Sequence, residues 1–226
     1  MGKKRRKRKK LRIKNVFIFL LFIGLVIGII YLLTLIKVRT FFVYNNKYLK
    51  DEDVLKELKL DGNSSFLLTN TPLEKSIIRK SNLIKDVKIH KTLDLEIKID
   101  IKEYKVLFYD ENNKKTVIEN GAKIDYDILD VPVLINKIDN KDVYKNLVKK
   151  MNKVNDETLK IISEISYSPN GIDKERFLLS MNDGNYVYVT LTKLSKINEY
   201  KSIIDSVENK KGILYLDYGN YFVPKE

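Results

Sequence analysis

One histidine, His90, and no cysteine are all that 226 residues offer for imidazole or thiolate chemistry. A Ser-His-Asp or Cys-His relay would have to run through His90. That residue lies in "DVKIHK", on the side of Lys88 and opposite Val87 and Ile89, as an exposed strand residue would. With no thiolate and a single imidazole, a metal site has to be built from carboxylates. "IDYDILD" gathers Asp125, Asp127 and Asp130 but lacks the glycine and distal glutamate of a calcium loop, so it reads as a solvated loop. Asp51, Glu52 and Asp53 fall in the first turn of a predicted helix, where the helix dipole favours negative charge. No Walker loop or G-x-G-x-x-G fingerprint occurs, and the glycines Gly62, Gly121, Gly171, Gly184 and Gly212 fall at turns. Nothing here selects a catalytic group, a cofactor or a metal. The expectation is a protein that binds rather than catalyses.

The stretch best suited to binding is "ILYLDYGNYFVP", read as one aromatic strand close to the chain end. It is either an ordinary core strand or a sheet edge whose free backbone groups accept a partner's strand. On the second reading Leu214, Tyr215, Leu216, Asp217, Tyr218, Asn220, Tyr221 and Phe222 are the contact residues, with the aromatic ones supplying anchor area.

Charge locates the rest of the chain. The formal net charge is +13, and ten Lys and Arg side chains from Lys3 to Lys14 supply +10 of it, leaving +3 for everything after. A nucleic-acid-binding domain keeps its basic excess on the folded part, so nucleic acid is not the expected partner. Residues 15–36 then pass without a charge. Twenty-two helical residues span about 33 Å, matching a hydrocarbon core of about 30 Å. "LLTLIKVR" ends the run without a small-x-small cleavage site, which points to a retained signal anchor. Basic residues beside a first membrane helix stay cytoplasmic, so residues 37–226 are expected outside the cell and the basic tail near anionic headgroups. Gly24 and Gly28 are spaced for close approach of a second helix, although glycine is common in membrane helices without that role.

Beyond the membrane, "TFFVYNN" reads as a strand, and "KDEDVLKELKL" as a short helix with Val54, Leu55 and Leu58 on one face. A second helix is signalled by Thr71, Pro72 and Glu74, a capping box with proline at the first position, followed by Leu73, Ile77 and Ile78. Leu93, Leu95, Ile97, Ile99 and Ile101 alternate with Asp94, Glu96, Lys98, Asp100 and Lys102, the period of a sheet covered on one face. Residues 37–105 thus form a strand-helix-helix-strand-strand unit. In residues 106–226, Asn120-Gly121 predicts a type I′ hairpin, and Asp183-Gly184 turns another. Pro132 marks a strand start or edge. Residues 141–165 are helical in tendency, with Leu147, Met151, Val154, Leu159, Ile162 and Ile165 as their apolar positions. Leu194, Ile197, Tyr200, Ile204 and Val207 mark a further helix face. The fold class is α+β: a basic tail (1–14), a membrane helix (15–36), a small first domain and an antiparallel β-rich second domain with helices.

In this order the segments resemble the FtsQ/DivIB family of bacterial cell-division proteins. "VYNNKYLKDEDVLKELKLDGNSSFLL" and "SNLIKDVKIHKTLDLEIKIDIKEYKVLFY" are similar to the opening and closing parts of that family's POTRA domain, including Glu103. "VIENGAKID…LDVPVLIN" and "GILYLDYGNYFVP" resemble its D-x-x-G…P-x-L segment and its final strand. The chain departs from the pattern at Glu119, usually Asp, at Ser81-Asn82, often Pro, and after Asp217, where Arg is frequent and Tyr218 stands. The resemblance implies a non-enzymatic scaffold of the septal peptidoglycan machinery in the cell membrane. It also implies FtsL-like and FtsB/DivIC-like bitopic partners, septal synthases reached through them, and a final strand that pairs with the FtsB/DivIC-like partner. The alternative is a POTRA-bearing, membrane-anchored component of another exported-protein complex of chaperone or secretion type. An anchored hydrolase would need a pocket gathering several carboxylates.

Overall fold

The computed structural model describes residues 13–70, 72, 75, 78, 83–126 and 128–225. The basic tail before Ile13, Thr71, Leu73, Glu74 and Ile77 of the capping-box reading, Ser81-Asn82 and Asp127 lie outside the described residues. Ile13–Thr34 is a 22-residue helix with no buried side chain, the one helix among the described residues long and apolar enough to cross a membrane.

The chain divides into two compact units: residues up to Ser81 with Asp86–Lys102, and Asn82–Lys85 with Glu103–Glu226. In the first, β1 (Thr40–Tyr44), β2 (Ile84–Lys91) and β3 (Glu96–Glu103) form a sheet in the order β1-β3-β2. β1 runs parallel to β3, from Thr40 opposite Glu96 to Tyr44 opposite Asp100. The helix Asp51–Glu57 delivers Val54, and Leu58 just after it, to the core; Pro72, Lys75 and Ile78 are also helical. Ile97, Ile99 and Ile101 are buried, as the alternation predicts. Leu93 and Leu95 are not. They fall in the turn before β3, Leu95 with φ 60°, and both are exposed.

The second unit is built on a nine-stranded sheet. Its strands are β4 (Val106–Asp110), β5 (Lys115–Ile118), β6 (Lys123–Ile124), β7 (Val133–Leu134), β8 (Ile162–Tyr167), β9 (Arg176–Met181), β10 (Tyr186–Thr190), β11 (Gly212–Tyr215) and β12 (Tyr221–Pro224). They are ordered β12-β11-β10-β9-β8-β7-β4-β5-β6. The sheet is mixed rather than antiparallel throughout: β4–β7, β7–β8 and β10–β11 are parallel pairs. Helices Lys141–Met151, Asp156–Ile161 and Tyr200–Ser206, with a 3-10 turn at Leu194–Glu199, pack Leu147, Met151, Leu159, Ile197 and Ile204 against the sheet. Asn140 and Asn155 cap the first two helices by accepting backbone N–H bonds from Val143 and Thr158.

Two local readings change and a third narrows. Ile162 and Ile165 belong to a strand, not a helix: the register slips between Ile162 and Glu164, so both face inward at a spacing of three. At Asn120-Gly121 only Gly121 has positive φ (83°), and its N–H bonds to the Ile118 carbonyl at 2.7 Å. That is a tight turn followed by a glycine bulge, since type I′ requires positive φ at both central residues. Pro132 immediately precedes β7, as the strand-start alternative has it; β7 is interior, so the edge alternative falls away.

Candidate functional site

The stretch read as a single final strand is a hairpin. β11 pairs on both sides, parallel to β10 (Val187 opposite Leu214) and antiparallel to β12 (Leu214 opposite Phe222, Tyr215 opposite Tyr221). β12 closes the sheet, and its outer side has no strand partner among the described residues. Backbone phase shows what that side offers. The Lys225 N–H donates to the Lys211 carbonyl at 2.8 Å, so residues 221, 223 and 225 turn their backbone groups toward β11. Phe222 N–H and C=O and the Pro224 C=O therefore point away from the sheet. Pro224 lacks an N–H where none is needed, the usual place for proline in a sheet edge.

Two arrangements hold the hairpin in place. At the start of β11, the Gly212 N–H donates to Asn185 Oδ1 at 2.7 Å, Asn185 Nδ2 donates to Asp183 Oδ2 at 2.9 Å, and the Tyr200 hydroxyl donates to the same oxygen at 2.7 Å. Burial pushes the Asp183 pKa up, but hydrogen bonds from Asn185 and Tyr200 outweigh it and leave the carboxyl below its ordinary value. Burial and the Asp183 contact push the Tyr200 phenol above its usual range. Gly212 has no room for a side chain: a Cβ there would lie 2.2 Å from the Val223 carbonyl oxygen and 2.8 Å from Pro224 Cα.

After β11, Asp217 is buried and its Oδ2 accepts from Arg176 Nε at 2.8 Å. Asp217 Oδ1 accepts the Tyr218 N–H at 2.9 Å, and its backbone carbonyl accepts from Lys193 Nζ. The Arg176 guanidinium lies 3.7 Å over the Tyr188 ring. From there Tyr188, Tyr215 and Tyr221 stack in sequence, at 5.4 and 4.7 Å between centroids, one ring from each of β10, β11 and β12. The ladder ends on the half-exposed Tyr221, on the strand that also carries exposed Val223.

Of the eight candidate residues, Leu214, Leu216 and Asp217 are buried and build the unit instead of facing outward. Phe222 packs partly against the core, and Tyr215 is sandwiched in the ladder. Tyr218, Asn220 and Tyr221 are exposed. Sequence reasoning missed Arg176, Asn185 and Tyr188. Each comes from a strand or turn well before the hairpin, so no local spacing marks it.

None of the other candidates belongs to this edge strand. His90 is exposed on β2, and Asp51 and Glu52 are exposed at the start of their helix. Asp125 pairs with Lys115. Among the described residues no three His, Cys, Asp or Glu converge as metal ligands. A Cβ added at Gly24 or Gly28 would meet nothing within 4 Å. At the far side of the sheet, Asp110 is buried and accepts from Tyr144 (2.9 Å), Asn113 (2.7 Å) and Lys123 (3.1 Å). Burial raises its pKa, but those donors together hold it below the ordinary carboxylate value. A carboxylate kept ionised by three donors anchors structure and makes a poor proton acceptor.

The chain as a whole is similar to known proteins. Residues 36–104 match the POTRA domain, FtsQ-type. The chain is 32% identical over 229 residues to the cell division protein DivIB of Bacillus subtilis, covering 97% of this chain and 86% of that protein. It is 28% identical over 228 residues to the cell division protein DivIB of Listeria monocytogenes, covering 97% and 84%. The solved major extracytoplasmic domain of the trans isomer of DivIB from Geobacillus stearothermophilus aligns with 48% of this chain and 97% of that one, at 22% identity and a TM-score of 0.40.

Proposed function

Because the chain belongs to the FtsQ/DivIB family of cell-division proteins, we propose that it is a non-enzymatic, single-pass scaffold of the divisome. Its N-terminus faces the cytoplasm, both folded domains (37–105 and 106–226) lie outside the cell, and it is enriched at the septum. It binds FtsL-like and FtsB/DivIC-like bitopic proteins and through them supports septal peptidoglycan synthesis.

The observation that carries the binding reading is the open side of β12. A partner's strand laid there gains hydrogen bonds to Phe222 N–H and C=O and to Pro224 C=O. Tyr218, Tyr221 and Val223 offer exposed anchor area beside that pairing. The aromatic ladder and the Arg176–Asp217 pair hold the edge rigid before the partner arrives, which lowers the ordering cost of binding.

A photo-crosslinking residue placed at Tyr221 of the full-length protein in dividing cells tests this. The expected product is an adduct with the FtsB/DivIC-like partner, absent when the same residue replaces Tyr44. Adducts with secretion or chaperone components instead, or a fluorescent fusion spread evenly around the cell, would refute the assignment.

A further inference from the structure

The exposed leucines of the first unit lie where the chain leaves its apolar helix. Leu93 is 102% exposed, Leu68 52%, Leu67 42% and Leu95 36%. They come from two turns, residues 64–69 and 92–95. The helix ends at Thr34, apolar residues continue to Ile36, and Lys37 is the first charge after it. Ile36 and the two residues that follow pair with the first turn. The Phe66 N–H donates to the Ile36 carbonyl at 2.8 Å, and the Val38 N–H to the Ser64 carbonyl at 3.0 Å. Arg39 N–H donates to the Leu95 carbonyl at 2.9 Å, tying the second turn to the same exit. Lys91 joins the turns: its ammonium donates to the Leu67 carbonyl at 2.9 Å and lies 5.1 Å from the Phe66 ring centre.

Chain length limits how far this patch can stand from the bilayer. Two residues separate Ile36 from the helix end, a reach of about 7 Å at most. The headgroup layer of one leaflet is itself about 5–7 Å deep. Leu67 and Leu68, one and two residues beyond Phe66, are therefore tethered within reach of the headgroup layer. Exposed Lys37 and Arg39 flank the patch with charges suited to anionic lipid. Exposed Asp94, between Leu93 and Leu95, favours this shallow depth over burial in the hydrocarbon.

We propose that Leu67, Leu68, Leu93 and Leu95 form a second membrane contact, seated in the headgroup layer of the bilayer that the chain's own helix crosses. The contact fixes the first unit on the membrane surface. It rests on the reading of residues 13–34 as a membrane helix, and its test separates the two.

The chain contains no tryptophan, so one introduced residue reports alone. The full-length protein is reconstituted in phosphatidylcholine–phosphatidylglycerol vesicles carrying a headgroup nitroxide lipid, as Leu68→Trp, Leu93→Trp, Tyr31→Trp or Tyr44→Trp. Tyr31 lies in the apolar helix; Tyr44 is exposed at the far end of β1 from Arg39. At ~3.3 Å per residue Tyr44 stands about 13 Å further along the strand than Thr40, so Leu68→Trp and Leu93→Trp should be quenched at least about twofold more than Tyr44→Trp. Both leucines are exposed, and their replacement leaves the core intact. Quenching of Tyr31→Trp with Leu68→Trp and Leu93→Trp no higher than Tyr44→Trp would overturn the contact while leaving the anchor standing. Blue-shifted but unquenched emission at the two leucine positions would mean that a second copy of the chain covers them, and would overturn it too. An unquenched Tyr31→Trp would overturn both readings.

Discussion

Gly212→Ala isolates the docking of β12 from the stability of everything beneath it. The new Cβ would sit 2.2 Å from the Val223 carbonyl oxygen, 2.7 Å from Phe222 Cζ and 2.8 Å from Pro224 Cα, where ordinary contact begins at 3.4 Å. Two of those three atoms are backbone, so a rotamer change cannot relieve the clash and β12 must move by about 1 Å. Overpacking of this kind costs roughly 1–3 kcal/mol. Holding β12 in place are a short ladder to β11, at ~1 kcal/mol net per hydrogen bond, and the Tyr215–Tyr221 stack, at about 0.5–1.5 kcal/mol. The strain therefore offsets a substantial part of that attachment, and the strand should open locally more often while β8 to β10 remain folded. Hydrogen exchange reads this directly. Amides of Tyr221, Val223 and Lys225, which face β11, should exchange roughly 5- to 150-fold faster in the variant, the range that 1–3 kcal/mol implies. Amides of β9 should keep their protection, and capture of the FtsB/DivIC-like partner should fall with the detached fraction. Unchanged exchange at Val223 and Lys225 would refute the steric argument, and equal losses in β9 would refute the independence of the edge.

Four further outcomes follow from the geometry of the second unit. Arg176→Leu leaves the Asp217 carboxylate buried without its cation, and should destabilise the second unit by about 3–5 kcal/mol in urea unfolding, with Arg176→Lys intermediate. Asp110 and Asp183 have folded pKa values below the ordinary carboxylate value, so the stability they contribute is complete above about pH 4 and lost as pH falls through the lower folded values. Acid unfolding monitored by circular dichroism should accordingly begin only below about pH 4. Tyr144→Phe removes one of the donors to Asp110, so it should lower stability at pH 7 and thereby move that onset upward; an unmoved onset would mean that Asn113 and Lys123 suffice. Tyr221→Ala, at the exposed end of the ladder, should cost no more than about 1.5 kcal/mol of stability while weakening partner capture, which separates binding from folding at one position.

How much of this was legible depends on whether the determining contacts were local. The apolar run, the helix at Val54 and Leu58, and the alternation through Ile97, Ile99 and Ile101 were readable because each repeats with the period of its own element. Ile162 and Ile165 misled because a bulge moves a strand's inward positions from a spacing of two to three, the spacing of a helix. Leu93 and Leu95 continue the alternation in sequence, but the backbone turns at Leu95, and no apolar periodicity can distinguish a strand's first residues from the turn before it. The final hairpin did carry a signal: Asp217, Gly219 and Asn220 are turn formers between two apolar runs. Arg176 carried none, since its partner Asp217 lies 41 residues away.

The position of the open edge follows from connections that the sequence carries. A parallel pair needs a crossover of a dozen or more residues, usually helical. Residues 194–206, between β10 and β11, are such a crossover, and the helices of 141–161 serve the same purpose between β7 and β8. A helical segment between two strands of one sheet argues for a parallel pair, whereas a hairpin reading adds each strand antiparallel to the last. Here the crossover carries β11 to the outside of β10, where it runs parallel, and the turn at 216–220 then reverses the chain once more. That reversal leaves a four-residue strand beyond the last covered position of the sheet. β11, which carries Leu214 and is followed by Leu216 and Asp217, becomes interior, and the residues available for pairing move from the start of the aromatic segment to its end. The open edge is thus set by two connections, one helical and one tight, more than by the aromatic residues of the segment.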